Sequence, residues 1–161
     1  MKKIIVVGAG PAGMMAAAAA AECGGHVLLL EKMPRVGRKM MITGKGRCNV
    51  TSADEIPDII RNIVGNGRFL HSSIRAFDNA DVMAFFEGQG VPLKIERGNR
   101  VFPVSDRAAQ VVDAMLKYLC DQNVEIRTDA AVHELIIEDG ILRGVRLANG
   151  LQIEVAAVIL A

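Results

Sequence analysis

Two short apolar runs near the start of the chain, residues 3–7 (KIIVV) and 26–31 (HVLLLE), flank an alanine-rich stretch. Aliphatic residues without polar alternation fit strands buried on both faces, the usual state of a parallel sheet. Residues 14–23 are Ala-rich and strongly helix-forming, and Gly24-Gly25 ends the helix. Pro11 suits a first helical turn, where its missing N–H is no loss. Residues 8–13 are glycine-rich and form the turn between strand and helix. Strand, helix and strand together have the length of one βαβ unit.

The pattern then changes. Residues 34–52 (PRVGRKMMITGKGRCNVTS) lack periodicity and are predicted to be a long loop, more often functional than filler in a compact domain. Residues 55–90 read as helix in pieces, with Asp78 or Asn79 capping a helix that carries Val82, Phe85 and Phe86 on one face. LKIE and RVFP around Gly98-Asn99 predict a hairpin over 91–104. Ser105 is the predicted N-cap of a helix, with Asp106 in its first turn. Ala108, Val111, Val112, Met115, Leu116 and Leu119 then recur at helical spacing as one apolar face. Residues 124–127 (VEIR) are a strand. Asp139-Gly140 and Asn149-Gly150 separate three more strands, at 132–138, 141–147 and 151–155, into an antiparallel meander. Residues 158–161 begin a last apolar strand. The fold class is therefore α/β: a Rossmann-like domain with an open parallel sheet and a small antiparallel meander. One domain spans 1–161, divided into the βαβ unit (1–31), a loop with a helical and hairpin excursion (32–104), and a helix, strand and meander (105–161).

Composition narrows the function classes. The chain has 161 residues, 51% of them hydrophobic, which supports a packed core and excludes disorder. Nineteen basic and 18 acidic residues leave a net charge of +1, so no global field points to nucleic acid or an anionic membrane as a partner. Aromatic residues make up 4%, too few for base-stacking platforms. Cys23, Cys48 and Cys120 form neither a disulfide framework nor a CxxC pair, and a reducing, cytoplasmic setting is the expectation. Lys2-Lys3 before an apolar run imitates an export signal. The glycines at 8, 10 and 13 and the weak hydrophobicity of alanine favour the βαβ turn instead.

Gly8-x-Gly10-x-x-Gly13 sits between strand and helix, the context that gives this pattern meaning. Gly8 permits the tight turn, Gly10 lets a pyrophosphate approach the backbone, and Gly13 lets helix and strand pack closely. The helix N-terminus offers N–H groups and partial positive charge to an anion. Glu31 ends the second strand, where a carboxylate accepts hydrogen bonds from adenosine ribose hydroxyls and repels a 2′-phosphate. The fingerprint alone does not separate FAD from NAD. Arg38, Lys39, Lys45 and Arg47 supply cations suited to a diphosphate or a reduced flavin, with a solvated basic loop as the alternative. Gly44-Lys45 is followed by Gly46 rather than Ser or Thr, so this is not a P-loop.

Residues 8–13 (GAGPAG), Glu31-Lys32, Gly37-Arg38-Lys39, residues 43–49 (TGKGRCN) and Arg100-Val101-Phe102-Pro103 with Ser105 resemble the bacterial NAD(P)/FAD-dependent oxidoreductases. That family includes aminoacetone oxidase-like flavoproteins and a proposed reductase of bile-acid intermediates. The resemblance covers the whole chain but only the front part of the family's sequence. It implies FAD as cofactor. Gly8, Gly10, Pro11, Ala12 and Gly13 would hold the pyrophosphate and Glu31 the ribose. Lys32, Arg38 and Lys39 would lie near the adenosine and phosphates. Gly44, Gly46, Arg47, Cys48 and Asn49 would run along the flavin, and Val132 would meet the adenine through its backbone. The family's strand continues from residues 158–161 into a Thr-Gly-Gly turn and a substrate domain. The chain is therefore expected to be a front fragment, with weak FAD affinity and negligible turnover by itself.

Three readings stand: an FAD-dependent oxidoreductase or its cofactor-binding part, a non-catalytic dinucleotide-binding module, and a tRNA-modifying flavoprotein, against which the near-neutral charge counts. The expected partners are a small-molecule substrate and NAD(P)H or oxygen, without nucleic acid or membrane. Cys48 is a candidate nucleophile because Arg47 adjoins it, yet it lacks a neighbouring Cys or His to work with. His26, His71 and His133 are scattered and suggest no metal site. Met40-Met41 and Phe85-Phe86 are most simply core.

Overall fold

A computed structural model describes residues 2–161. In chain order the elements are β1 (Lys3–Val7), α1 (Pro11–Glu22), β2 (His26–Leu30), α2 (Arg38–Ile42), β3 (Thr51–Ser52), α3 (Ile56–Asn62), α4 (His71–Ala76), α5 (Asn79–Gly88), β4 (Leu93–Glu96), β5 (Arg100–Pro103), α6 (Ala108–Asp121), β6 (Glu125–Arg127), β7 (Val132–Glu138), β8 (Ile141–Leu147), β9 (Gln152–Glu154) and β10 (Ala157–Leu160). A turn of 3₁₀ helix lies at Gly67–Leu70, and Thr43–Gly46 form a tight turn. The described residues form two compact units, one of residues 2–39 with 115–161 and the other of residues 40–114.

The first unit is built on a four-stranded parallel sheet in the order β10-β1-β2-β6. Its two central strands supply Ile5, Val6 and residues 27–30, all about 1% exposed or less. That degree of burial requires cover on both faces. On one side α1 contributes Met14, Ala17 and Ala18; the small side chains of the two alanines let the helix approach closely. On the other, Ile5, Leu28 and Leu30 cluster with Val145, Leu147, Ile153 and Val155 of the antiparallel meander β7-β8-β9. The Asp139-Gly140 turn has positive φ at both residues, as a two-residue hairpin of type I′ demands. Gly144 is a packing glycine: a Cβ there would meet the Ile153 carbonyl oxygen at 2.2 Å.

The second unit contains a three-stranded antiparallel sheet, β3-β5-β4, and the helical excursion α3 to α5. Asp78 caps α5, accepting from the N–H groups of Ala80 and Asp81, while the Asp81 carboxylate accepts from the Asp78 N–H. Phe86 is buried on that helix and Phe85 meets it edge-on, with ring centroids 5.1 Å apart.

The structure departs from the sequence reading in three places. Residues 34–52 are not a structureless loop, because α2 and the tight turn at 43–46 occupy its middle. Both are about one turn long, too short for a periodicity to show. Helix α6 begins at Ala108, so Ser105 and Asp106 precede it in a turn; Asp106 has φ +54 and serves a different structure described below. Met41 is 41% exposed, whereas Met40 is buried, so that pair is only half core.

The cap yields a direct test. Asp78→Ala leaves the first-turn N–H groups of α5 without their acceptor and should cost about 1 kcal/mol, measured by urea denaturation. Asp81→Ala should cost less, because one bond is lost rather than two.

Candidate functional site

In the first unit a cleft of about 420 Å³ opens beside the β1–α1 turn, lined by Val7, Gly8, Gly10, Leu30, Glu31, Lys32, Ala130, Ala131, Val132 and Ala161. It brings together five of the residues singled out in the sequence: Gly8, Gly10, Glu31, Lys32 and Val132. Pro11, Ala12 and Gly13 form the first turn of α1 just behind it.

The three fingerprint glycines answer to three different constraints. Gly8 has φ +101, and a Cβ there would lie 2.5 Å from the Ala161 carbonyl oxygen. A Cβ on Gly13 would lie 1.8 Å from the Gly8 carbonyl oxygen, so helix and strand touch backbone to backbone. Gly10 is unlike both. Its backbone is extended (φ −76, ψ 178), open to any residue, and a Cβ there would have nothing within 4 Å. The protein itself gives no reason for glycine at 10; the empty space above it does. Gly10 is the N-cap of α1 without a side-chain cap, and no acidic residue occupies the first turn. The leading N–H groups of the helix therefore keep their donor capacity for an anion.

Glu31 is held in place by the chain. Its Oε2 accepts from the Ala9 N–H and its Oε1 from the Met33 N–H, both at 2.8 Å. This tie between the glycine turn and the segment after β2 was not visible in the sequence, which suggested only a ribose acceptor. A carboxylate has about four lone-pair sites, so both oxygens retain capacity for ribose hydroxyls. The segment is further fixed by the Gly37 N–H bonding to the Ala9 carbonyl at 2.9 Å and the Ala130 N–H to the Glu31 carbonyl at 2.9 Å. The cleft thus combines a bare helix N-terminus, a glycine with open space above it, and a preoriented carboxylate. Arg38 and Lys39, on α2, are exposed.

In the second unit the 44–49 loop follows an unusual path. Gly44, Lys45, Gly46 and Cys48 all have positive φ, at 57, 59, 85 and 64°. Arg47 is neither a solvated surface charge nor an unmatched cation. Its Nη1 donates to both Glu96 oxygens at 2.9 and 3.0 Å and lies 3.4 Å from Asp106 Oδ1. Lys94 Nζ reaches Asp106 at 2.7 Å and Glu96 at 3.3 Å, which closes a ring of alternating charge. The hydrogen bond from Arg47 holds the Glu96 carboxyl below its ordinary range, and that from Lys94 does the same for Asp106. Sequence spacing carries no sign of these pairs, since Glu96 and Asp106 lie 49 and 59 residues from Arg47. Lys45, Gly46 and Asn49 are exposed.

Cys48 does not have the character of an activated nucleophile. It is 3% exposed, and burial pushes its thiol pKa up rather than down. The charge of Arg47, the neighbour invoked for activation, is directed to Glu96 and Asp106 instead. His26, His71 and His133 lie on β2, α4 and β7. Among the described residues no group of three or more His, Cys, Asp or Glu is placed to hold a metal, and no helix is long and apolar enough to cross a membrane.

Two expectations follow. Gly13→Ala should destabilise the fold by about 3 kcal/mol or more, because backbone must move to admit the methyl. Gly10→Ala should cost about 1 kcal/mol or less; thermal melts of the two variants check the contrast. The charge ring makes stability depend on acid. Glu96 and Asp106 have folded pKa values below their unfolded ones, so their contribution is full above the ordinary carboxylate range and is lost as pH falls through it. Denaturation midpoints from about pH 6 to about pH 3 should fall more steeply for the parent than for Glu96→Gln.

Comparison with known proteins agrees with this geometry. The family model described as HI0933-like protein Rossmann domain matches residues 2–161. The chain is 32% identical over 145 residues to a 3-dehydro-bile acid delta(4,6)-reductase of Clostridium scindens, covering 84% of this chain and 33% of that protein. It is 28% identical over 160 residues to a ribosomal RNA dihydrouridine synthase of Haemophilus influenzae, covering 98% and 39%. The chain thus spans roughly a third of the length of the curated relatives it matches. Among solved structures, a 3-ketosteroid-delta4-(5alpha)-dehydrogenase from Rhodococcus jostii shares the fold with a TM-score of 0.71 at 16% identity, over 99% of this chain and 45% of that one. A family model that covers residues 2–161 leads to one assignment: the chain belongs to the HI0933-like protein Rossmann domain family, with FAD as its cofactor.

Proposed function

We propose that the protein is an FAD-dependent oxidoreductase in which this chain holds the adenosine and pyrophosphate half of the cofactor. The observation that carries the reading is Gly10, a glycine that neither backbone conformation nor packing requires, beside an uncapped helix N-terminus. Bound FAD supplies the electron and hydride transfer; the residues of the chain bind it, orient it and tune its surroundings. In this reading Gly8, Gly10 and the first-turn N–H groups of Pro11-Ala12-Gly13's helix take the diphosphate, Ala12 and Gly13 being the donors because Pro11 has none. Glu31 accepts from the ribose, and its negative charge disfavours a 2′-phosphate there. Lys32 stands at the cleft rim, Arg38 and Lys39 give the phosphates a positive surround, and the Val132 backbone meets the adenine. Family resemblance assigns Gly44, Gly46, Arg47, Cys48 and Asn49 to the flavin side.

The reaction of the whole protein follows from the chemistry named in its relatives. A delta(4,6)-reductase and a dihydrouridine synthase both saturate a carbon–carbon double bond. We therefore assign this protein to the same class, reduction of an activated double bond in a small molecule, with NAD(P)H as the electron donor that re-reduces the flavin and oxygen only as a competing acceptor. The ribosomal RNA relative supports a second reading, an RNA uracil as substrate. The net charge of +1 gives this chain no field with which to gather a polyanion, and so favours the small molecule.

FAD titration tests the site. Gly10→Val should abolish binding, or weaken it by about a hundredfold, while the melting temperature stays near that of the parent. Equal affinity in the variant would put the diphosphate elsewhere. In the full-length protein, reoxidation of reduced flavin by a conjugated enone, set against uridine-containing RNA, decides between the two substrate classes.

A further inference from the structure

We infer that Arg47 is a positioning residue: it holds residues 44–48 in their left-handed course and does not present its charge to a ligand. The inference rests on the reading above, that this loop serves the flavin. Lys45 and Cys48 occupy a region of backbone space that L residues with a Cβ disfavour, so the loop keeps this path only where something fixes it. Arg47, between them, is the one residue of the run with ordinary right-handed geometry (φ −94, ψ −17).

Its contacts divide into three, and each fixes the loop to the hairpin or to itself. The Arg47 backbone N–H and its Nε both donate to the Gly44 carbonyl, at 3.4 and 3.3 Å, closing the turn from within. Nη1 is anchored on Glu96 at the end of β4. The guanidinium carbon lies 4.1 Å from the ring centroid of Phe102, on β5, a side chain only 1% exposed. Gly44 rests on the same ring: a Cβ there would be 2.6 Å from Phe102 Cε1. One buried aromatic therefore supports both ends of the turn, and Arg47 clamps the turn onto it. Glu96 and Asp106 compensate its charge at contact distance, which leaves little net field for a bound ligand.

Only a planar fork makes these contacts together. A lysine keeps the charge but lacks the Nε donor, the second donor arm and the flat face that stacks on a ring. This separates a positioning role from a charge role. The experiment uses the full-length protein with Arg47→Lys, Arg47→Met and Glu96→Gln. Hydrogen exchange over residues 43–50 is followed without FAD, FAD affinity is measured by titration, and melting curves confirm that each variant folds. Arg47→Lys and Arg47→Met should both accelerate exchange in that segment on the order of tenfold, through more frequent local opening, and weaken FAD by a similar factor. Glu96→Gln should move both readouts in the same direction, although it leaves the Arg47 charge less compensated. Parental exchange and affinity in Arg47→Lys would overturn the inference, as would tighter FAD binding in Glu96→Gln. If the parent itself fails to bind FAD, the functional reading falls, and the exchange data still decide whether Arg47 clamps the loop.

Discussion

The contact on which the nucleotide half depends is a backbone-to-backbone one: Gly13 on α1 against the Gly8 carbonyl at the end of β1. No side chain is tolerated there, because a single methyl would fall inside the oxygen's radius. This approach sets the position of the helix axis over the sheet. With the axis fixed, the α1 N-terminus is aimed at the carboxyl ends of β1 and β2, where ligands bind in open α/β sheets. The Ala-rich stretch belongs to the same constraint, since Ala17 and Ala18 bring the rest of the helix as close to the sheet as Gly13 brings its start.

Glu31 couples that turn to the next segment. By accepting from Ala9 and Met33 it joins the glycine turn, the end of β2 and the start of the following stretch into one hydrogen-bonded piece. A carboxylate so oriented loses little rotamer freedom when a ribose arrives, and pre-ordering of this kind is what lets a small polar contact contribute to affinity. In the proposed reading, structural tie and ribose acceptor would be one arrangement, and a substitution at Glu31 would report on both together.

How far the sequence foretold all this depends on the range of the interaction. The parallel strands, the meander and the α5 cap were legible because each is signalled locally: unbroken aliphatic runs, Asp-Gly and Asn-Gly turns, and an Asp before a helix with another acid three residues on. Glycine spacing located the cleft for the same reason. The middle of residues 34–52 was not legible, because single helical turns leave no periodic trace. Asp106 was misread as a helix-start acid. Its local context permits that role, and only Lys94 and Arg47, 12 and 59 residues away, show the role it takes. Arg47 follows a like rule: a sequence shows a cation suited to a diphosphate, a flavin or solvent, but not the Glu96 and Asp106 carboxylates that the fold brings to it.

The two groups of predicted cofactor residues thus differ in kind. Around the β1–α1 turn the backbone would do the recognising, through N–H groups and the absence of side chains, and such sites are readable from glycines. In the 44–49 loop recognition would depend on a backbone course that the local residues disfavour and that distant side chains maintain. Positive φ at Lys45 and Cys48 makes that course informative. A loop free to relax would adopt cheaper geometry, so its persistence requires compensating contacts, among them the Arg47–Phe102 stack, the Glu96 pair and the Cys48 N–H bond to the Thr43 carbonyl. A motif such as TGKGRCN is then not a string of ligand contacts but a mixture, in which the glycines permit the path and the arginine enforces it.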